Sequence, residues 1–383
     1  MFKLNLDKAY KLEQFHLDWG KDHIKKRVSE QKVDFMFEVE NAYYCQLIRS
    51  TKDSVIDKSL RTFLIGKPSD LRKVHEQLPN FFKDCLQINK ITPSIHQTIN
   101  FKSNYKLTSG RSLSTGKEIE TEVAKVISRM HKIFDYKYFV STQAQKRNLL
   151  IDDINAVKTE NWSAYQLAYH LSNRACCYCN KQFTLTINNK TGKLRPQLDH
   201  FYPQSKYPFF SLSMYNLIPS CSSCNSSSKG DMDTLDKQYG NTILHPFEDE
   251  LPKNITFSLA KNKDFYIKLS NGNLEVSDFS IEMKNLESCS KSKLAVEKFN
   301  INEQYKLHRE EICDALNNSI FYNKMAMKNV AKLLNIKDVK VEAAAREFSS
   351  IQLQKNIAND PKQRVLGKLM NDVLKEEFSN LLK

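Results

Sequence analysis

Apolar positions along the chain recur with two periods, and the changes of period divide it into segments. In "STGKEIETEVAKVISRMHKIF", Ile119, Val123, Val126, Ile127, Met130 and Phe134 fall three or four apart, the spacing of one helix face. Glutamates near its start suit the positive end of a helix dipole. "SDLRKVHEQL", opened by Ser69, and "NWSAYQLAYHLSNR" predict two more helices, the second running straight into a group of cysteines. The period then becomes two. In "KQFTLTINNKTGKLRPQLDH", Phe183, Leu185 and Ile187 alternate with polar residues before a polar turn holding Gly192, which predicts a β-hairpin. "KNITFSLAKNKDFYIKLSNGNLEVSDFSIEMK" continues in strands, with Asn271-Gly272 marking a second hairpin. From Asn302 the helical period returns in Tyr305, His308, Ile312, Leu316 and Ile320, and further helices are expected to Lys383.

The plan is α+β. It reads as a mixed, mostly helical region over 1–160, a cysteine-bearing module over 161–250, a β-rich extension over 251–300 and a helical region over 301–383. With 383 residues, 40% of them hydrophobic and 27% charged, the chain can bury a sizeable core. Nine glycines and ten prolines are scattered, so no linker or low-complexity tract stands out, and no internal repeat is visible. The first residues, "MFKLNLDKAYKLEQFHLDWGKDHIKK", lack the apolar centre of a signal peptide, and no run approaches the ~18 apolar residues of a membrane span. A cytoplasmic protein with no membrane partner is the expectation.

In that compartment clustered cysteines point to metal rather than to disulfides. Cys45, Cys85, Cys289 and Cys313 are isolated and read as ordinary thiols. The other five stand in "ACCYCN" and "SCSSCN". Cys176 and Cys179, with Cys221 and Cys224, form two Cys-x-x-Cys knuckles able to supply four thiolates to one tetrahedral zinc. Cys177 is a spare that could replace Cys176, although Cys176 matches the spacing of the second knuckle. Four thiolates leave no open coordination position, so this zinc is expected to be structural.

Charge sharpens the picture between the knuckles. The chain carries a formal +14, an excess that is mostly lysine and that general lysine bias alone could produce. Between Glu160 and Asp231, however, Asp199 is the single acidic residue, while Arg174, Lys181, Lys190, Lys193, Arg195, Lys206 and Lys229 are all basic. Repulsion by a phosphate backbone accounts for such an absence. Asp199 sits beside His200: the carboxylate is a hard ligand for Mg²⁺ or Mn²⁺, and the imidazole is suited to taking a proton from water. Alternation along a strand would send the two side chains to opposite faces, so a turn or bulge near Pro203 is needed to bring both to one cleft. Asn225, after the last cysteine, offers a second oxygen to the same cation, or else a helix cap.

The ordered set Cys176, Cys179, Asp199-His200, Asn216-Leu217, Cys221, Cys224 and Asn225 resembles the HNH endonuclease superfamily in its zinc-framed form. That resemblance implies a ββα-metal, treble-clef-like module embedded between mainly helical regions. It makes His200 the general base, assigns Asp199 and Asn225 to a catalytic divalent cation, and has Asn216 brace the loop that orients His200. The cation would bind the scissile phosphate and stabilise the leaving 3′ oxygen. "ILHPFEDE", containing His245, looks like a bacterial subgroup that accompanies ATPases in anti-phage systems of the Septu and retron type. The expectation is therefore a nuclease using structural Zn²⁺ and catalytic Mg²⁺ or Mn²⁺, acting on nucleic acid, DNA ahead of RNA. An ATPase or other defence protein is an implied partner, and a homo-oligomer is open. Two other readings stand beside it: a zinc-dependent nucleic-acid-binding module without cleavage, and a partner-binding scaffold that uses zinc only to hold its fold.

Overall fold

The helices expected in "SDLRKVHEQL" and "NWSAYQLAYHLSNR" are present. In a computed structural model of the protein, the residues described are 1–4, 9–30, 60–77, 105–106, 112–113, 128, 130–141, 150–235, 243–321 and 359–378. The helices include α1 (Ala9–Glu30), α2 (Pro68–Gln77), α3 (Tyr136–Val140) and α4 (Ala164–Leu171). Ser163 caps α4 by accepting from the Gln166 amide, and Leu167, Ala168 and Leu171 bury its apolar face. Of the helix expected over 114–134, Met130 and Phe134 are buried as the pattern requires, whereas Ile119, Val123, Val126 and Ile127 lie outside the described residues. Cys45 and Cys85 lie outside them too.

The strands form four small antiparallel pairs. Strand β1 (Tyr105–Lys106) pairs with β2 (Ser112–Leu113), β3 (Ile187–Asn188) with β4 (Lys193–Leu194), β5 (Gln197–His200) with β6 (Leu217–Ser220), and β7 (Thr256–Lys261) with β8 (Phe279–Lys284). The hairpin around Gly192 is present but short. The Asp199-His200 strand does not belong to it: β5 pairs with β6, Asp199 opposite Ile218 and His200 opposite Leu217. Alternation in the sequence identifies a strand but not its partner, and "NLIPS" had no polar alternation to announce itself because β6 is buried on both faces.

The second hairpin expected is a different structure. Between β7 and β8 the chain forms α5 (Phe265–Ser270), and Asn271-Gly272 ends that helix rather than turning a hairpin. Gly272 takes φ +69° and donates to the Leu269 carbonyl, while Asn273 donates to Lys268. An Asn-Gly pair serves both purposes, since each needs a left-handed residue. Beyond β8 come α6 (Ser290–Lys298), α7 (Ile301–Lys306), α8 (Arg309–Phe321) and α9 (Gly367–Glu377). The stripe from Asn302 is thus split, with Tyr305 buried in α7 and Ile312 and Leu316 in α8.

The architecture is mixed α+β, and distant segments converge on its centre. His16 of α1 is buried, accepting from the Trp162 indole (3.0 Å) and contacting the Leu212 carbonyl (2.6 Å). Tyr305 of α7 donates to the Cys179 carbonyl (2.5 Å). Asn180, with φ 56°, donates from its amide to the Pro361 and Arg364 carbonyls and accepts from the Lys368 amide. One residue in left-handed backbone thereby ties the first cysteine turn to the segment entering α9. Among the described residues no helix is long and apolar enough to cross a membrane.

Candidate metal centre and the Asp-His strand

Four sulfurs come together. Cys176 and Cys179 lie on a turn closed by the Asn180 amide donating to the Cys176 carbonyl (2.7 Å). Cys221 follows β6, and Cys224 lies in a π-helical turn, Ser223–Lys229. All four are buried, and their sulfurs lie within 4.8 Å of one another. The Cys179 and Cys221 sulfurs are 3.8 Å apart. A tetrahedral zinc with Zn–S of about 2.3 Å sets its sulfurs about 3.8 Å apart, so the donor set fits such an ion. Hydrogen bonds from Cys176, Cys179 and Cys224 push the Cys221 thiol down. Cys177 is outside the cluster: its sulfur faces the Pro219 carbonyl (3.7 Å), and burial pushes its thiol up. The knuckle is Cys176-x-x-Cys179, as the spacing favoured. Among the described residues no second group of three or more His, Cys, Asp or Glu side chains gathers in this way.

The metal cluster and the Asp-His strand share β6 and the turn after it, so one fixes the other. Asp199 is buried. The Tyr178 hydroxyl donates to its Oδ2 (2.6 Å), and the Lys229 ammonium lies 3.1 Å from its Oδ1. Burial raises the Asp199 carboxyl, and Lys229 works against that by favouring the charged form. Lys229 also donates to the His200 carbonyl (2.6 Å), so the end of the π-helical turn is tied to the strand at two points.

His200 takes the other face, as alternation demands. Its Nε2 is 3.0 Å from the Ser211 carbonyl, and its ring stands edge-on to Tyr136 with centroids 4.4 Å apart. A carbonyl only accepts, so Nε2 carries the hydrogen and Nδ1 holds the lone pair. Burial pushes the imidazole down to about 4, which keeps it neutral at neutral pH. Asn216 is buried and spends its amide on the loop 201–211. It donates to the Tyr202 carbonyl (3.1 Å) and the Phe210 carbonyl (2.9 Å), and accepts from the Tyr202 amide (2.7 Å). Phe210 precedes the residue that anchors His200. Replacing Asn216 with Ala leaves the Tyr202 amide and carbonyl without these partners, and the Phe210 carbonyl with the Ser213 amide alone (3.0 Å), at about 1–3 kcal/mol for each orphaned group that water does not reach. Urea unfolding of metal-loaded protein should register a loss of that order.

Asn225 does not meet Asp199. Its amide donates to Gln197 Oε1 (2.8 Å), to which Ser226 also donates (3.1 Å). With Lys229 and Tyr178 on the two Asp199 oxygens, the residues as arranged do not fit a divalent cation held by Asp199 and Asn225. Such an ion would have to displace a buried ammonium. In the sequence Lys229 is one basic residue among seven, and Tyr178 lies between the two cysteines of the first knuckle. The π-helical turn, closed by Gly230 donating to the Asn225 carbonyl five residues back, is what carries Lys229 onto Asp199. Replacing Lys229 with Met should strand the carboxylate and cost about 3–5 kcal/mol of unfolding free energy, most of it recovered when Asp199→Asn is added. A double-mutant cycle in urea would measure this, and additive losses would mean that the pair contributes nothing jointly.

His245 lies behind the same strand. It is buried, accepts at Nδ1 from the Phe247 amide (3.2 Å) and packs on Phe201 with ring centroids 4.1 Å apart. With Arg72, Tyr202 and Glu248 it lines a cavity of about 170 Å³. Arg72 and Glu248 there form a two-point ion pair at 2.8 and 3.1 Å. Its Nδ1 closes a turn and its ring packs on Phe201, while its Nε2 is buried without a hydrogen-bond partner among the described residues.

No family model matches the chain, and no solved structure matches it. It is 40% identical over 53 residues to Protein ea31 of Escherichia phage lambda. That similarity covers 14% of this chain and 17% of the phage protein.

Proposed function

We propose that the protein is a zinc-framed hydrolase of phosphodiester bonds, of the HNH kind, with His200 as the general base and DNA ahead of RNA as substrate. The observation that carries this reading is the setting of His200. It lies on a strand beside the cysteine cluster, its Nε2 is committed to the Ser211 carbonyl, and Asn216 holds the loop bearing that carbonyl. A neutral imidazole so fixed keeps its Nδ1 lone pair available to accept a proton from water. The acid-free basic stretch from 161 to 198 supports an anionic substrate. A role in bacterial defence with an ATPase partner belongs to the same proposal and rests on the sequence resemblance alone.

A second reading has its own observation. Lys229 on Asp199, and Asn225 on Gln197, leave no shared seat for a catalytic cation, which favours a zinc-dependent nucleic-acid-binding module without cleavage. One experiment separates the two. Supercoiled plasmid is incubated with zinc-loaded wild type and His200→Ala, each with Mg²⁺, with Mn²⁺ and with neither. Nicking by wild type that is lost in the variant supports the hydrolase. Binding without nicking by either protein supports the second reading. Equal nicking by both removes His200 from the chemistry.

A further inference from the structure

The hairpin beside the cysteine cluster is inside out. Phe183 is 60% exposed, Leu185 38%, Ile187 44% and Leu194 56%, while the polar Thr184 and Asn188 between them are 2% and 5% exposed. A strand covering a core does the reverse. The inversion is built in: the Thr184 hydroxyl donates to the Asn173 carbonyl (2.6 Å), its amide donates to the Arg174 carbonyl (2.9 Å), and the Asn188 carbonyl accepts from Leu150 (3.3 Å). Ile187 stands directly opposite Leu194 across the ladder, so the two side chains share the outer face. Apolar surface gathered on one exposed face, with its polar neighbours spent inward, marks an interaction surface.

Charge identifies what it fits. Every charged residue from 161 to 198 is basic. Lys190 and Lys193 are exposed at the hairpin tip, and Arg174 is exposed at its base. There an open cleft of about 530 Å³ is lined by Phe183, Arg174, Arg364 and Asp360 among others. Asp360 turns its carboxylate onto the Lys362 amide. An acidic residue anywhere on the hairpin would have cost a protein partner little, and none is present.

We infer that this outward apolar face of the hairpin, Phe183, Leu185, Ile187 and Leu194, is a nucleic-acid docking surface, with Lys190 and Lys193 on the phosphate backbone and the apolar side chains against sugars and bases. This deepens the hydrolase proposal and rests on it for the nature of the substrate. Lysines on phosphates displace counterions and make binding steeply salt-dependent, whereas apolar contacts with bases do not. The two halves of the surface therefore give different signatures.

The test is fluorescence anisotropy of full-length, zinc-loaded protein on a fluorescein-labelled 20-mer, as duplex and as single strand, across a salt series. Lys190→Ala with Lys193→Ala should lower the slope of log affinity against log salt by roughly 2 on duplex. Phe183→Ser with Ile187→Ser should weaken binding about tenfold or more on at least one probe and leave the slope unchanged. The probe that suffers more tells duplex from single strand. These side chains are exposed, so metal content and melting temperature should not move. Wild-type affinity in both double variants overturns the inference. So does unchanged DNA binding accompanied by loss of self-association in light scattering, which would give the face to a second copy of the chain. Plasmid nicking run beside these measurements keeps the two proposals apart. Nicking by wild type with no dependence on the hairpin sinks the docking surface and leaves the hydrolase standing. Hairpin-dependent binding with no nicking does the opposite.

Discussion

Cys224→Ser is expected to lose the bound metal and, with it, the cooperative unfolding transition of the central module. Structural zinc sites contribute about 10–16 kcal/mol of apparent binding free energy in small domains, as much as the whole stability of an ordinary one. Here the cluster joins the two knuckle segments, which the Tyr178–Asp199 and Gln182–Ser223 hydrogen bonds also link. Cys176 and Cys179 sit on the turn that Asn180 ties to the segment entering α9, and Cys221 and Cys224 lie where β6 passes into the π-helical turn. The Cys221 amide also donates to the Cys176 sulfur (3.4 Å). Without the ion, four buried sulfurs would share protons at contact distance with nothing to organise them. Zinc per chain by mass spectrometry and a thermal melt by circular dichroism check the expectation. Cys177→Ser is the control: its sulfur lies outside the cluster, so it should keep one zinc per chain and melt close to wild type. Loss of metal in Cys177→Ser and retention in Cys224→Ser would reverse the ligand assignment.

Much of this centre was legible in the sequence, for a physical reason. Thiolate ligation depends on residue type and short spacing, both local properties, so Cys176, Cys179, Cys221 and Cys224 could be named before any fold was known. Only the family resemblance, and no local property of the residue, put Asn216 near His200; the structure puts its three hydrogen bonds on the intervening loop. What could not be read was pairing over distance. Nothing in "QLDH" says that its partner strand begins at Leu217, because register is set by the core that both strands face. Lys229 was similarly hidden. An ordinary helical turn after Cys224 and a π-helical one present different residues to β5, and composition does not separate them. The hairpin at 183–194 shows the remaining limit. Period two is equally regular whether its apolar face turns in or out, and only the contacts of Thr184 and Asn188 decide.

If the protein is the hydrolase proposed, His200→Ala is expected to lower plasmid nicking about 10²- to 10⁴-fold, the usual contribution of a positioned general base, while leaving zinc content intact. The fold should tolerate the change, because what His200 contributes through its ring is one contact to the Ser211 carbonyl and one to Tyr136, whereas the loop itself is held by Asn216. A pH profile carries information that an inactive variant does not. Burial pushes the imidazole down to about 4, so its base form persists through the neutral range and the wild-type rate should not bend near pH 6.5. The sign of the stability effect follows from the same shift. Below about pH 6.5 the unfolded chain takes up a proton that the folded chain refuses until about pH 4, so stability drains away as pH falls through that window. Replacing His200 with Ala removes that contribution, and the variant should lose less stability between pH 6.5 and 4 than wild type does. A wild-type rate that bends near 6.5 would mean an open, solvated imidazole instead, with the loop from Phe201 to Ser211 standing away from it during catalysis. With the loop closed on His200, Asn216→Ala should share the activity loss, since under the proposed function the brace acts on the base through that loop. If His200→Ala is inactive while Asn216→Ala nicks normally, the Ser211 contact has no part in orienting the base.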